Sequence, residues 1–341
     1  MKILVTGGTG YIGAHTVVEL MNSGFDVDII DNLNNSKEEV VDAIAKITGK
    51  RPLWFNIDLC DANEIKNYFS KHKPDAVVHF AAHKAVGLSV EQPLAFYHNN
   101  LLSLINLLQC CVEAKCNSFV FSSSCSVYAD PDKLPIDENA PVKTAKSPYG
   151  NTKKIGEEII TDTVRSSSLQ AVSLRYFNPV GSHDSALIGE LPTTMPLNVM
   201  PIITQVAIGK RKQFVVFGND YPTPDGSCIR GYIHVVDVAK AHVTAVMRLL
   251  NKKNKSAYEV FNLGTGKGFS VLELIHAFEK TTGQKLNYTI EGIRAGDVTA
   301  VYADTALANT VLGWHTERDL NDMIRTAWNW ELCLAGRTDF I

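Results

Sequence analysis

The sequence predicts an α/β fold, a doubly wound parallel sheet joined to a smaller mixed α/β domain. Three observations predict it. Short β-rich runs alternate with helical patterns through the first half of the chain. Glycines cluster where the first such run meets the first helical pattern. After Asn178 prolines multiply and the alternation stops. Strands alternating with helices imply parallel pairing with helices on both faces. A ligand site is then expected at the carboxyl ends of the strands.

The elements follow in order. Lys2–Val5 reads as a strand and Tyr11–Asn22 as its helix. Phe25–Ile30 precedes a helix over Ser36–Ile47. Ala76–Phe80 leads to Pro93–Ala114, and Ser118–Phe121 leads to Tyr149–Val164. Ala171–Arg175 is the next strand. Beyond it, Pro179, Pro192, Pro196, Pro201, Pro222 and Pro224 cut the chain into short pieces. Asp237 is expected to cap a helix reaching Leu250, because Asp accepts from the free amides of a helix start. Tyr258–Leu263 reads as a strand returning to the large sheet, and Ser270 as the cap of Val271–Glu279. The expected division is residues 1–176, with 232–262 returning to them, and a second domain over 177–341.

Composition excludes several classes. A chain of 341 residues holds two or three domains and needs no staples. With 45% hydrophobic and 20% charged residues it is not a disordered chain. A net charge of −3 argues against a nucleic-acid partner or a membrane surface. The seven cysteines are odd in number and show no C-x-x-C spacing, which fits neither a disulfide framework nor a zinc ribbon. No two histidines stand at convincing ligand spacing, and His79 reads as a packed strand residue, so no metal is expected. The longest apolar stretch, Leu101 to Val112, is interrupted by Ser103, Asn106 and Gln109 and is far short of the ~18 residues of a membrane span. The apolar run Ile3–Val5 is too short for a signal-peptide core, so a cytoplasmic location is expected.

The strongest local signal is Gly7-Gly8-Thr9-Gly10-Tyr11-Ile12-Gly13, between a strand and a helix. Gly7 allows the tight turn, Gly10 lets backbone approach a pyrophosphate, and Gly13 lets helix and strand pack closely. The helix start supplies free amides and the positive end of its dipole. The spacing is G-x-x-G-x-x-G rather than G-x-G-x-x-G; the strand–turn–helix context makes it a Rossmann-type dinucleotide loop. Asp31, followed by Asn32, closes the second strand. A carboxylate there accepts from both ribose hydroxyls and repels a 2′-phosphate, which predicts NAD over NADP. Asp58, after Phe55-Asn56-Ile57, can accept from the adenine amino group, although an Asp after a strand is also common in turns.

Tyr149 and Lys153 form Y-x-x-x-K at the start of a helix, a spacing that puts both on one face. A nearby ammonium favours the phenolate. An ordinary Tyr titrates near pH ~10, so a base working near neutrality needs a shift of about three units, roughly 4 kcal/mol. Upstream, Ser122-Ser123-Ser124 ends a buried-type strand, and Ser124 can pass a proton between a substrate hydroxyl and Tyr149. Each piece alone is commonplace; all three in this order after a glycine loop are not.

On these residues the chain resembles the extended short-chain dehydrogenase/reductase superfamily, and within it the UDP-glucose 4-epimerases. The resemblance runs nearly end to end through LVTGGTGYIGAHT, DNLNNS, VVHFAAHKAVG, FSSSCSVY, SPYGNTKK, LRYFNPVG, FGNDYPTPDG and YIHVVDVA. It implies an NAD site formed by Gly7, Gly10, Tyr11, Ile12 and Gly13, by Asp31, Asn32, Asn35 and Ser36, and by Asp58 and Leu59. Phe80, Ala81, Ala82, Lys84, Asn99 and Ser122 continue it, and Tyr149, Lys153, Tyr176 and Phe177 complete it. It implies a UDP-sugar site of Lys84, Ser124, Tyr149 and Asn178, then Asn198, Val199, Phe217, Arg230, Tyr232, Arg294, Asp297 and Val301. Guanidinium groups at Arg230 and Arg294 can fork onto diphosphate oxygens. The implied reaction inverts C4 of a UDP-hexose through a transient 4-keto sugar, with Tyr149 taking the hydroxyl proton and NAD regenerated in place. The resemblance also implies a homodimer through helices at Pro93–Ala114 and Tyr149–Val164.

Departures narrow the reading. Related dehydratases carry an acid just after the residue matching Ser124; here Cys125 and Ser126 follow, which disfavours dehydration. Gly231, Leu88, His83 and His98 are atypical of the epimerases. Val301 stands where some members carry a bulky Tyr, and a small residue there predicts room for a 2-acetamido group. Another NAD-dependent sugar-nucleotide epimerase or dehydrogenase of the superfamily is the alternative. A silent NAD-binding scaffold predicts loss of Ser124, Tyr149 or Lys153, and all three are present.

Overall fold

The computed structural model describes residues 1–191, 196, 198–294 and 297–337. Pro192, read above as a chain breaker, lies outside the described residues. The first half runs β1 (Lys2–Thr6), α1 (Tyr11–Asn22), β2 (Asp26–Ile30), α2 (Glu39–Thr48), β3 (Leu53–Phe55), α3 (Ala62–His72) and β4 (Ala76–His79). It continues through α4 (Val86–Glu91), α5 (Pro93–Glu113), β5 (Ser118–Ser122), α6 (Pro148–Ser166) and β6 (Gln170–Tyr176). The remainder comprises β7 (Asn178–Val180), α7 (Val199–Ala207), β8 (Phe214–Phe217), β9 (Ile229–Arg230), β10 (Tyr232–His234) and α8 (Val235–Leu250). Then come β11 (Tyr258–Leu263), β12 (Phe269–Ser270), α9 (Val271–Thr282), β13 (Tyr288–Glu291), β14 (Ala300–Val301) and α10 (Leu320–Leu334).

Seven strands form one parallel sheet in the order β11-β6-β5-β4-β1-β2-β3. The chain winds outward in both directions from the β1–β4 boundary, so the crevice for a ligand opens there. Apolar residues cover both faces, as a parallel sheet between helices requires. Successive side chains alternate between faces. Ile3, Val5, Val78 and Val120 pack with Val17 of α1 and Val246 of α8. Leu4, Val77, Phe119 and Phe121 pack on the other face with Leu104 and Leu107 of α5 and Ile160 of α6.

The second half makes smaller sheets. β7 pairs with β10, β8 with β13, and β9 lies between β12 and β14. A third core of Met200, Ile203, Phe278 and Trp328 joins α7, α9 and α10. Tyr232 opens β10 beside Asn178, off the large sheet; it is α8 that packs back on α1, and β11 that pairs with β6.

Several local expectations need correction. α2 starts at Glu39 rather than Ser36, whose hydroxyl instead donates to Asp31 Oδ1 at 3.2 Å. β3, α3 and α4 add to the expected elements; α3 is capped by Asp61, which accepts from the amides of Asn63 and Glu64. α8 is capped by His234, not Asp237: the His234 Nδ1 accepts from Val236 N at 3.1 Å. Asp237 lies inside the first turn, where it accepts from Arg318 N at 3.1 Å. Ser270 does cap α9, in a reciprocal box with Glu273.

Four histidines are buried: His15, His79, His234 and His242. Burial lowers their imidazoles to about 3, about 3, about 2 and about 4. Unfolded, each binds a proton near its ordinary ~6.5; folded, each stays neutral far below that. The unfolded state thus holds more protons at mildly acidic pH, and stability falls as pH drops through that value. We expect the urea unfolding midpoint to decline steadily from about pH 7 to about pH 5. A flat profile contradicts this account.

Candidate active site

The glycine turn is held by close contact. Gly7 has φ +71°, and a Cβ there would stand 2.7 Å from Ala81 N, just past β4. A Cβ on Gly13 would stand 2.1 Å from the Gly7 carbonyl oxygen. Only glycines let α1 start this near the ends of β1 and β4. The first amides of a helix have no acceptor within it and face outward. Gly10 carries no side chain over that end. The cradle fits a pyrophosphate, with Tyr11 and Ile12 in the first turn.

Asp31 stands at the rim of the cradle. Its Oδ2 accepts from Thr9 N at 3.1 Å and its Oδ1 from Leu33 N at 3.0 Å. Thr9 and Ser36 hydroxyls meet at 2.7 Å, so Asp31 and Ser36 are brought together, with Asn35 on the same turn. Asn32 Nδ2 reaches Asp58 Oδ2 at 3.4 Å, and Asp58 Oδ1 accepts from Cys60 N. Leu59 is buried, and its carbonyl accepts from Asn106. Past β4, Phe80 packs on His242, with Ala81 and Ala82 following. The Asn99 amide donates to Asn100 Oδ1. Lys84 lies 5.9 Å over the Tyr11 ring and 3.4 Å from Glu190.

Ser124, Tyr149 and Lys153 meet at the carboxyl end of β5. Ser147 caps α6, accepting from Gly150 N at 3.1 Å. A Cβ on Gly150 would stand 3.2 Å from the Ser126 carbonyl, so the helix start lies close against the Ser124–Ser126 turn. The Ser124 hydroxyl accepts from Ser126 N at 3.2 Å and lies beside the Tyr149 phenol, whose ionised form it favours. Lys153 Nζ donates to the Ser122 carbonyl at 2.7 Å and lies 5.9 Å from the Tyr149 ring centre. The Ser122 hydroxyl bonds Tyr176. One expectation fails here. In the protein without ligands, burial pushes the Tyr149 phenol up to about 12 rather than down. Burial also lowers the Lys153 ammonium to about 8. Both shifts have one cause, the loss of water around a charge. The Cys125 thiol, raised by burial to about 11, is no nucleophile.

A second cluster converges on Asp297. Its Oδ1 pairs with Arg294 at 2.9 Å and Arg230 at 3.4 Å. Arg230 also donates to the Val298 carbonyl, and Arg294 lies over the Phe217 ring at 5.4 Å. Tyr232 is buried beside β7. Asn178 donates twice to the Gly231 carbonyl, from backbone and side chain. A Cβ on Gly231 would stand 3.1 Å from Tyr302 Cα, so this departure is packed tightly. Val301 pairs with Arg230 and packs, with Cys125, on a cluster containing Phe177. The backbone of His83 is held on both sides by Asn100, while Leu88 and His98 are exposed.

Asn198 and Val199 begin α7, and the Asn198 amide donates to Glu190 Oε1 at 2.6 Å. Glu190 thereby joins Lys84 of the first half to Asn198 of the second. Nothing in the sequence singles out Glu190, since a lone acid in a loop has no signature. All seven cysteines are free, and no metal-binding cluster occurs among the described residues. Gly13→Ala is expected to cut dinucleotide affinity at least about tenfold by displacing α1 from β1. Titration calorimetry checks this; unchanged affinity contradicts the cradle.

Comparison with known proteins supplies the family. A family model described as GDP-mannose 4,6 dehydratase matches residues 4–327. A UDP-glucose 4-epimerase of Drosophila melanogaster is 46% identical over 336 residues, covering 96% of each chain. The structure of a UDP-glucose-4-epimerase from Stenotrophomonas maltophila, with bound NAD and formylated UDP-arabinopyranose, superposes with a TM-score of 0.96 at 45% identity. It covers 98% of this chain and 99% of that one. A UDP-Glc/GlcNAc 4-epimerase from Campylobacter jejuni has a TM-score of 0.84 at 34% identity, covering 97% and 98%. With this similarity along almost its whole length, and with Ser124, Tyr149 and Lys153 assembled beside the glycine cradle, the chain belongs to the UDP-glucose 4-epimerase family.

Proposed function

We propose that the protein inverts C4 of a UDP-hexose, exchanging UDP-glucose and UDP-galactose, with NAD resident in the glycine cradle. The observation that carries this is the meeting of Ser124, Tyr149 and Lys153 at the carboxyl end of the sheet. When bound, NAD supplies reversible hydride exchange with the sugar carbon. Gly7, Gly10 and Gly13 would hold its pyrophosphate, Asp31 its adenine ribose and Asp58 its adenine. Tyr149 moves the proton at the sugar 4-oxygen, and Ser124 relays it. Lys153 favours the phenolate by its charge. Arg230 and Arg294 grip the diphosphate and Asp297 the ribose, so the nucleotide stays anchored while the sugar turns over. In this division, residues 1–176 with 232–262 serve the cofactor and residues 177–341 the UDP-sugar.

Three finer readings belong here. Val301 is small and packs on the same cluster as Cys125, which supports room for a 2-acetamido group. Apolar Leu94, Ile105 and Val112 are exposed along α5, which supports a homodimer packed through α5 and α6. Seven free thiols support a reducing, cytoplasmic setting, and no helix among the described residues is long and apolar enough to cross a membrane. Dehydration is disfavoured because Cys125 and Ser126 are not acids at neutral pH.

A coupled assay with UDP-glucose, UDP-galactose and their two N-acetylated counterparts, on protein purified without added NAD, tests the reading. We expect turnover of all four with NAD retained; accumulation of NADH under excess NAD would identify a dehydrogenase instead. No N-acetyl turnover would overturn the reading of Val301 alone. Tyr149→Phe should retain NAD and lose about 10²–10⁴-fold in kcat, and a near-normal rate would remove Tyr149 from the proton path.

A further inference from the structure

Beneath the catalytic residues lies a buried ion pair that the reaction above does not use. Glu157 sits on α6 one turn after Lys153, and its side chain is 9% exposed. Its Oε1 accepts from the Ser123 hydroxyl at 2.5 Å and from Arg175 Nε at 2.9 Å. Its Oε2 accepts from Arg175 Nη2 at 2.5 Å. Arg175 Nη1 donates to the Tyr128 hydroxyl at 2.8 Å, and Tyr128 donates to Asn262 Oδ1 at 2.7 Å. One carboxylate thus ties α6 to β5 and β6. A buried ion pair is seldom needed for stability, since apolar residues of similar volume serve as well. What apolar residues cannot do is hold the Ser123 hydroxyl or place negative charge near Lys153.

Ser123 is the centre of the turn. The Ser122 carbonyl grips the Lys153 ammonium, and the Ser124 hydroxyl favours the ionised form of the neighbouring Tyr149. We propose that Glu157 is a positioning residue for the epimerase reaction. It locks the Ser122–Ser124 turn through Ser123 and keeps the buried Lys153 amine in its charged form. The inference rests on the epimerase reading.

The surroundings of Lys153 bear this out physically. Its own helix contributes Tyr149 and Glu157. β5 contributes the Ser122 carbonyl and the Phe121 ring, 4.9 Å away. β4 contributes the neutral His79 imidazole, and β6 contributes the Tyr176 phenol on Ser122 and Arg175 bound to Glu157. Burial lowers the ammonium and Glu157 raises it. Without that acid the amine loses its proton at lower pH, and support for a Tyr149 phenolate goes with it.

The test compares wild type, Glu157→Gln and Ser123→Ala, with two readouts. The first is the titration of the Lys153 ε-carbon by lysine-selective NMR in the protein without ligands, assigned with Lys153→Met. Glu157→Gln should move it down by about one pH unit, and Ser123→Ala should leave it in place. The second is the pH profile of epimerisation. In Glu157→Gln, kcat should fall about tenfold or more with KM within about twofold, and its alkaline limb should move to lower pH. Ser123→Ala should lower kcat without moving that limb. If Glu157→Gln fails to fold because Arg175 is left uncompensated, Glu157→Gln with Arg175→Met removes both charges; it should lower kcat as the single variant does, with a smaller downward move of the Lys153 titration because a cation is lost with the anion. An unmoved Lys153 titration, or equal changes in kcat and KM, overturns the proposal. An inactive wild type with the expected NMR shift would instead overturn the functional reading.

Discussion

The start of α1 lies so near the turn after β1 that no side chain fits between them. The contact of Gly13 with the Gly7 carbonyl decides where the helix begins, and the contact of Gly7 with Ala81 decides how near β4 passes. Both are steric limits, so neither depends on pH or salt. From them follows the crevice at the β1–β4 boundary, where the sheet changes winding direction. Backbone donors at a helix start then face a space bounded by Asp31 on one side and by the end of β5 on the other.

Electrostatics in the crevice is set by burial. Tyr149 and Lys153 are each shifted toward their neutral forms, the phenol upward and the ammonium downward. Both shifts have the same cause, loss of water around a charge. The protein alone therefore holds a neutral phenol next to an easily discharged amine. Added positive charge reverses the first effect, and the acid at Glu157 offsets the second.

Charged side chains gather the residues around the crevice. Glu190 holds Lys84 and Asn198 together, while Asp297 gathers Arg230 and Arg294. Around Asp297 two guanidiniums share one carboxylate, which keeps them converged. Phe217 and the β9–β14 pairing brace this cluster, so its geometry depends on short strands contributed from three separate stretches of sequence.

How much was legible can be judged from particular residues. The glycine turn, Asp31, the Ser122–Ser124 run, Tyr149 with Lys153, and the Ser270 cap are all local patterns, in which the chemistry sits within a few residues of itself. Their positions could be read because a turn, a cap or one helical face is specified by near neighbours. The misreadings share the opposite property. Ser36 looked helical, yet its hydroxyl serves Asp31 across the loop. Asp237 looked like a cap, yet His234 takes that role and Asp237 is drawn to the backbone of Arg318. Glu157 and Glu190 carried no signal, because their partners are distant in the chain. The sequence by itself determined the parallel sheet, the phosphate cradle and the Tyr–Lys pair, since local sterics and periodicity specify them. Only the tertiary structure decided which buried charges compensate one another and how far each proton is held, because desolvation and Coulomb energy depend on everything packed nearby.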